Sequence, residues 1–319
     1  MDLRQLRYFV AVAEELHFGR AAQRLHITQP PLTQGIANLE RHVGVLLFNR
    51  TKRSVQLTAA GAALLPHAQD VLARALALPL QARAAAQGEI GQLRLGFVST
   101  VGFDGLPRWV RAFRAHSPGV RLELVEATGD VQLQLLQAGK IDAGIALHAQ
   151  GDPAPPALER RSIGQESLVL ALPEQHPLAA APSVQFAQVW DEPLVLFPRS
   201  ILPSIHDGLR AAYAARGKAL HVVQEAIQMQ TIVNLVWGGL GVAWVPESVT
   251  QFRREGVVYR AADAFAPAGG KGRARAGASP GMPLPVCETS LVWPAALNNP
   301  ALARFIGFVG DRSAAPQQA

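Results

Sequence analysis

Cysteine is almost missing from this sequence: Cys287 is the only one. That excludes an internal disulfide framework and any metal site built from several thiolates. Long apolar runs are missing too, with no stretch near the roughly 18 uninterrupted apolar residues of a membrane span. The opening Met1-Asp2-Leu3-Arg4-Gln5-Leu6-Arg7 puts charges where a signal peptide needs an apolar core. A cytoplasmic protein with no membrane partner is expected. Enzyme motifs are equally scarce. There is no His-Glu-x-x-His, no Walker-type phosphate loop and no serine elbow at a strand-to-helix turn. Gly238-Gly239-Leu240-Gly241 resembles a glycine loop, but it follows a helix and precedes a strand, the reverse of a dinucleotide site. No catalytic residue, metal ligand or cofactor is expected.

Acidic residues are sparse in the first quarter. Residues 1–87 hold ten Lys and Arg against five Asp and Glu, whereas residues 88–319 hold twenty against nineteen. Nearly all of the net charge of +6 therefore sits at one end, as in a nucleic-acid-binding lobe joined to a neutral one. A length of 319 residues suits two or three lobes, and an apolar fraction of 49% gives each a core.

Leu3, Leu6, Val10 and Ala13 recur at helical spacing, and a short second helix is expected from about Gly19 to Leu25. Ala21 and Ala22 allow the two helices to cross closely. Gln29-Pro30-Pro31 opens a third helix, prolines being tolerated in a first turn. Thr28 stands at its N-cap, but the prolines remove donors that its hydroxyl would normally bond, leaving it available to a phosphate. Leu32, Ile36, Leu39 and Val43 fall within about 60° of one another around that helix. The opposite face carries Gln34, Ala37, Asn38 and Arg41, with Glu40 near the seam. Such a polar, short-chained surface can reach base edges in a major groove, although alone it equally describes a solvated face. Leu46-Leu47-Phe48 and Val55-Gln56-Leu57 flank a basic tip, Asn49-Arg50-Thr51-Lys52-Arg53-Ser54, which reads as a β-hairpin wing able to contact phosphates.

These segments together resemble the LysR-type regulator family. The resemblance rests on Leu3-Arg4-Gln5-Leu6-Arg7-Tyr8-Phe9, the Ala21-Ala22 helix, Gln29-Pro30-Pro31-Leu32-Thr33, and Leu39-Glu40 with Gly44-Val45-Leu46-Leu47-Phe48. Arg50-Thr51 and Leu57-Thr58-Ala59-Ala60-Gly61 complete it, in the family's order. The wording is closest to the branch controlling breakdown of aromatic compounds. The resemblance implies that Gln29, Pro30, Pro31 and Thr33 lie at the groove, while Arg4, Arg50, Thr51 and Arg53 hold the backbone; the residue pattern itself adds Thr28, Gln34, Asn38 and Lys52 to the expected DNA-binding set. That branch usually has an arginine at position 34 and a longer side chain at 35. Here stand Gln34 and Gly35, so operator preference cannot be borrowed from relatives.

Residues 59–87 read as one linker helix with a broad apolar stripe including Leu64, Leu65, Leu72, Leu76 and Leu80. A stripe that wide needs a partner, which the resemblance supplies as the same helix of a second subunit; packing on its own domain is the alternative. Pro66 should be harmless, whereas Pro79 should kink or end the helix.

From residue 92 strands alternate with helices, as in βα units around a mostly parallel sheet. Strands are expected at 93–98, 120–125 and 142–147, with helices at 106–115 and 131–138. A second set begins near Glu166, including a helix at 184–189 and another at 205–215. The overall fold class expected is α/β: a winged helix-turn-helix over 1–58, a linker helix over 59–87, and a two-lobed, periplasmic-binding-protein-like effector domain over 88–319. Its first lobe spans about 92–163 and 286–310, and its second about 164–263. Residues 264–285 are rich in Ala, Gly and Pro, hold three cations and no acid, and read as a mobile insertion.

Open α/β sheets bind ligands at the carboxyl ends of their strands. Ser99, Thr100 and Thr128 stand there in the first lobe, each ahead of a helix, and could hold a carboxylate. Arg199, Ile201, Leu202, Pro203 and Gln228 would face them from the second. Each hydroxyl taken singly is better explained as an ordinary N-cap; it is their convergence at strand ends that favours a binding site. The expected function is a sequence-specific DNA-binding transcription regulator, an activator, switched by a small carboxylate effector. The alternative is an architectural DNA-binding protein without effector response. Expected partners are promoter DNA, the effector and further copies as a dimer of dimers, with RNA polymerase an open addition.

Overall fold

In the computed structural model residues 1–51, 54–103, 105–262 and 283–313 are described, the side chains of 311–313 excepted. The chain divides into two compact units, Met1–Ala84 and Ala85–Ala319.

The first unit begins with α1 (Leu3–Glu15), α2 (Phe18–Arg24) and α3 (Gln29–Val43). Asp2 starts α1 through a capping box: its carboxylate accepts from Gln5 N at 2.7 Å, and Gln5 Oε1 accepts from Asp2 N at 3.1 Å. Phe9, Val12, Ala21, Leu32, Ile36 and Leu39 are fully buried between the three helices. Gly35 lies beneath Tyr8, where a Cβ would meet the ring at 2.6 Å, so the departure at position 35 makes room for a close helix crossing. Strands β1 (Phe48–Arg50) and β2 (Val55–Leu57) pair antiparallel as the wing.

Thr58 then starts α4 (Ala59–Ala86), its hydroxyl accepting from Gly61 N at 3.0 Å and donating to Leu46 O at 2.8 Å. Gly61 is needed there because a Cβ would come within 2.2 Å of the Leu47 carbonyl oxygen. The helix runs through both prolines, so of the kink or end expected at Pro79 the end is not found. Its stripe is divided. Leu64, Leu65, Ala68 and Leu72 pack on the winged-helix core, whereas Val71, Leu76, Leu78 and Leu80 stay exposed.

The second unit has two lobes. The first is a five-stranded sheet ordered β4 (Gly119–Glu126), β3 (Ile90–Phe97), β5 (Ala143–Ala149), β13 (Cys287–Pro294), β6 (Leu158–Glu166). Its first three strands are parallel, while β13 runs antiparallel to both neighbours. The short helix α5 (Ser99–Gly102) and α6 (Gly105–His116) follow β3, α7 (Gly129–Gln137) follows β4, and α10 (Pro300–Ser313) ends the described chain.

The second lobe holds β7 (Leu168–Pro173), β8 (Ser183–Val184), β11 (Ala243–Pro246) and β12 (Val257–Ala262) in the order β11-β7-β12-β8. A parallel pair, β9 (Leu194–Leu196) with β10 (Val222–Glu225), is joined to it by a bridge between Leu194 and Val242. Helices α8 (Pro203–Ala214) and α9 (Met229–Trp237) cover it.

Two sequence expectations fail here. The sheets are mixed, because β7 pairs antiparallel with both β11 and β12, and β6 was not anticipated as a strand. Residues 184–189 form the end of β8 and a 3-10 turn, Phe186–Gln188, instead of an α-helix. The apolar residues there, Val184, Phe186 and Val189, are all buried, a pattern that burial on the second-lobe core explains without helical periodicity. Within the segment expected to be a mobile insertion, Leu284 is buried in that core and Pro285 packs on Gly208; residues 264–282 lie outside the described residues.

Candidate functional sites: an exposed helix face and an interlobe cleft

In the first unit the N-terminal face of α3 is presented to solvent. Thr28 has N-cap backbone geometry but no side-chain cap bond, as two prolines at the first helical positions require. Gln29, Pro30, Pro31 and Gln34 are exposed, and Thr33 is half-buried with its hydroxyl bonded to Gln29 O at 3.1 Å. Gln34 Nε2 donates to Asn38 Oδ1 at 3.0 Å, and Arg41 Nη1 donates to the same oxygen at 3.2 Å. This row of pre-oriented amides has the donor and acceptor groups that base edges require.

The backbone-contact set is less uniform. Arg4 is largely exposed, 3.8 Å from Asp2. Arg50 is engaged by the protein itself: Nη2 lies 2.7 Å from Glu40 Oε2, and the guanidinium stands 4.9 Å from the Phe18 ring centroid. Thr51 holds the wing turn, its N–H donating to Ser54 O at 2.9 Å and its hydroxyl 3.0 Å from Ser54 Oγ. Lys52 and Arg53 lie outside the described residues.

Sequence reasoning placed Glu40 at a seam and missed its part. It is 7% exposed, and Oε1 accepts from Leu47 N at 3.0 Å and Phe48 N at 3.3 Å. One buried carboxylate thus ties the recognition helix, the first wing strand and Arg50 together. An acid on an otherwise acid-free face ten residues before an arginine was the available signal.

In the second unit a cleft with about 400 Å³ of open space lies between the lobes. Of the eight residues expected there, it brings together six: Ser99, Thr100 and Thr128 from the first lobe, Ile201, Leu202 and Gln228 from the second. Thr128 and Gln228 are the N-caps of α7 and α9, and neither side chain makes a cap bond. Two helix N-termini, each with unsatisfied N–H groups and partial positive charge, therefore open into one cleft from opposite lobes. Thr100 is 4% exposed, and its Oγ1 has no hydrogen-bond partner; a buried hydroxyl in that state costs about 1–3 kcal/mol until something bonds it. The rest of the lining is chiefly aliphatic, from Val98, Leu147, Ile227 and Met229, with Glu126 its one charged residue.

Two expected residues do not line the cleft. Arg199 is bound in bidentate fashion to Asp207, at 2.8 and 2.7 Å; the hydrogen bond from Arg199 holds the Asp207 carboxyl below its usual value. Pro203 is the first residue of α8 and faces a different cavity. Gln132, which sequence reasoning passed over, positions α7: its buried amide donates to Ala127 O at 2.8 Å and Ile145 O at 3.3 Å, tying the end of β4 and the interior of β5 to the helix. Its oxygen lies where a Cβ on Gly144 would come within 2.3 Å. Cys287 is fully buried, and burial pushes its thiol well up, so it offers no reactive thiolate. No helix among the described residues is long and apolar enough to cross a membrane.

Comparison with known proteins identifies both parts of the chain at the level of the family. Residues 3–62 match the family described as bacterial regulatory helix-turn-helix protein, lysR family, and residues 86–314 match the LysR substrate binding domain. The HTH-type transcriptional regulator IlvR of Caulobacter vibrioides is 45% identical over 316 residues, covering 99% of this chain and 100% of the relative. The regulator CatR of Pseudomonas putida is 37% identical over 259 residues, covering 81% of this chain and 87% of the relative. Among solved structures, full-length CbnR complexed with its target DNA is 29% identical with a TM-score of 0.79, covering 98% of this chain and 100% of that one.

Proposed function

This chain belongs to the LysR family of bacterial transcription regulators, and from that premise we propose how its two units read DNA and sense a ligand. It is a DNA-binding regulator with an effector-binding domain. In the proposed reading α3 enters a major groove and reads bases through Gln29, Gln34 and Asn38, while Arg4 and the wing hold phosphates. The effector is a small carboxylate in the interlobe cleft, received by the N-termini of α7 and α9. The observation that carries this is the pair of uncommitted caps, Thr128 and Gln228, facing one space together with the unpartnered Thr100 hydroxyl. The cleft lining includes no lysine or arginine and one acid, Glu126, so helix dipoles and N–H groups would carry the recognition of the anion against that carboxylate.

A ligand that touches both lobes binds the closed cleft more tightly than the open one, and only that difference can move the regulator between states. Thr128→Val tests it. The hydroxyl makes no cap bond, so the variant should fold with nearly unchanged stability. Operator occupancy titrated with candidate small carboxylates should need about tenfold more ligand, within the usual range of coupling energies. An unchanged titration would put the ligand elsewhere. Retention on generic DNA with no operator preference would favour a purely architectural protein.

The DNA reading predicts two kinds of variant. Arg4→Ala should weaken binding to every duplex and flatten the salt dependence by about one unit. Gln34→Ala and Gln29→Ala should instead relax discrimination, by about 1–3 kcal/mol at the base concerned. Binding assays across salt concentrations and operator variants separate them; indistinguishable behaviour would sink the division between base and phosphate contacts.

A further inference from the structure

A second and larger cavity lies across one wall from the effector cleft. It contains about 820 Å³ of open space, its mouth included, between α7 and β5 of the first lobe and residues 200–204 of the second. Gly129, Leu147 and Ile201 line both spaces and form the partition. We propose that this cavity is a separate binding site for a small, uncharged and mostly apolar molecule of about the size of one substituted ring.

The chemistry of the walls sets that class. Leu133 and Leu136 from α7, Ala146 from β5, Val292 from β13 and Pro203 from α8 make most of the surface apolar. Some of the polar groups among them are already engaged by the protein, and those left over are few. His148 is buried, with Nδ1 2.8 Å from Ala149 O and Nε2 2.9 Å from Ser290 Oγ. Gln132 donates to two backbone carbonyls, while its buried Oε1 has no partner and is left to accept from a ligand hydroxyl. The Ser204 hydroxyl accepts from Ala149 N at 2.9 Å, which leaves its proton for one ligand acceptor. The Arg160 guanidinium is turned onto the carbonyls of Asp152 and Pro153.

Charge then decides against an anion. Asp130 and Asp152 also line the cavity, and neither is in an ion pair among the described residues. Two carboxylates facing one guanidinium that is already bonded repel an anionic ligand and leave an apolar body without a charged partner as the species that gains by burial. The effector cleft has a different balance: it sets one carboxylate, Glu126, against the N-termini of two helices. The two sites differ in ligand class although they share a wall. Because both lobes contribute to the cavity, its occupant favours one lobe arrangement over another and so alters the response to the effector.

The test uses full-length protein and two probes of equal size, neutral benzyl alcohol and anionic benzoate, followed by calorimetry. Ala146→Leu and Leu133→Phe fill the cavity from opposite walls, and neither residue lines the effector cleft. Benzyl alcohol should bind the native chain, bind about tenfold more weakly to either filled variant, and bind Thr128→Val as it binds the native chain. Benzoate should show no loss on filling. Several results would overturn the proposal: no binding of benzyl alcohol to the native chain, equal binding to the filled variants, or loss of binding in Thr128→Val, which would put the probe in the effector cleft. Loss of benzoate binding on filling would overturn the charge argument. Melting curves confirm that each variant is folded, and the native-chain arm decides the matter even where a filled variant is not.

Discussion

Glu40→Ala should destabilise the DNA-binding unit by about 3–5 kcal/mol and abolish operator binding at physiological temperature. The carboxylate is 7% exposed and serves three donors at once: Leu47 N, Phe48 N and Arg50 Nη2. Alanine would leave two buried N–H groups without acceptors, each costing about 1–3 kcal/mol. It would also release Arg50 from the Phe18 face, so the wing would lose its tie to the recognition helix. Glu40→Gln keeps an acceptor oxygen but loses the ion pair and should fall between native and alanine. Denaturant unfolding of the unit, monitored alongside DNA binding, gives both numbers. A Glu40→Ala protein within about 1 kcal/mol of native stability would show that water replaces the carboxylate and that the wing is held by its own strands.

The helical elements of the first unit were legible because burial has a single period there. Leu32, Ile36 and Leu39 lie on one face and are fully buried, as their spacing requires. Val43 shares the spacing but is exposed, since the helix ends there at Gly44 in a left-handed conformation. The two caps at the interlobe cleft were legible for a similar reason: Thr128 and Gln228 each follow a strand and open a helix, and both line one cleft. Arg199 was misplaced because its partner, Asp207, lies eight residues on across a turn whose geometry no periodicity reports. The pairing of β13 with β5 and β6 joins segments more than a hundred residues apart, and local pattern carries no trace of such a register. The role of Glu40 was hidden for the opposite reason. Its partners are backbone amides, which look the same at every residue.

The largest change in assembly should come from Leu76→Asp combined with Leu80→Asp. On α4 the inner apolar residues, Leu64, Leu65, Ala68 and Leu72, are covered by the same unit's core, so substitutions there would confuse folding with association. Farther along the same helix Leu76, Leu78 and Leu80 are 74%, 61% and 66% exposed. A helix so apolar on its outer half is not stable in water unless another surface covers it. Through this half we infer pairing with α4 of a second copy, in the antiparallel arrangement implied by family resemblance, and assembly of such pairs into a tetramer. Two aspartates would bury unpaired charge in that contact and repel their counterparts across it. The variant should sediment as a monomer at micromolar concentration. It should keep its affinity for a single half-site but lose about a hundredfold or more on an operator with two, because linkage no longer supplies a high effective concentration of the second reader. An unchanged dimer would locate the interface elsewhere. An equal loss on single half-sites, with altered circular dichroism, would mean that the outer half of the helix stabilises its own unit instead of a partner.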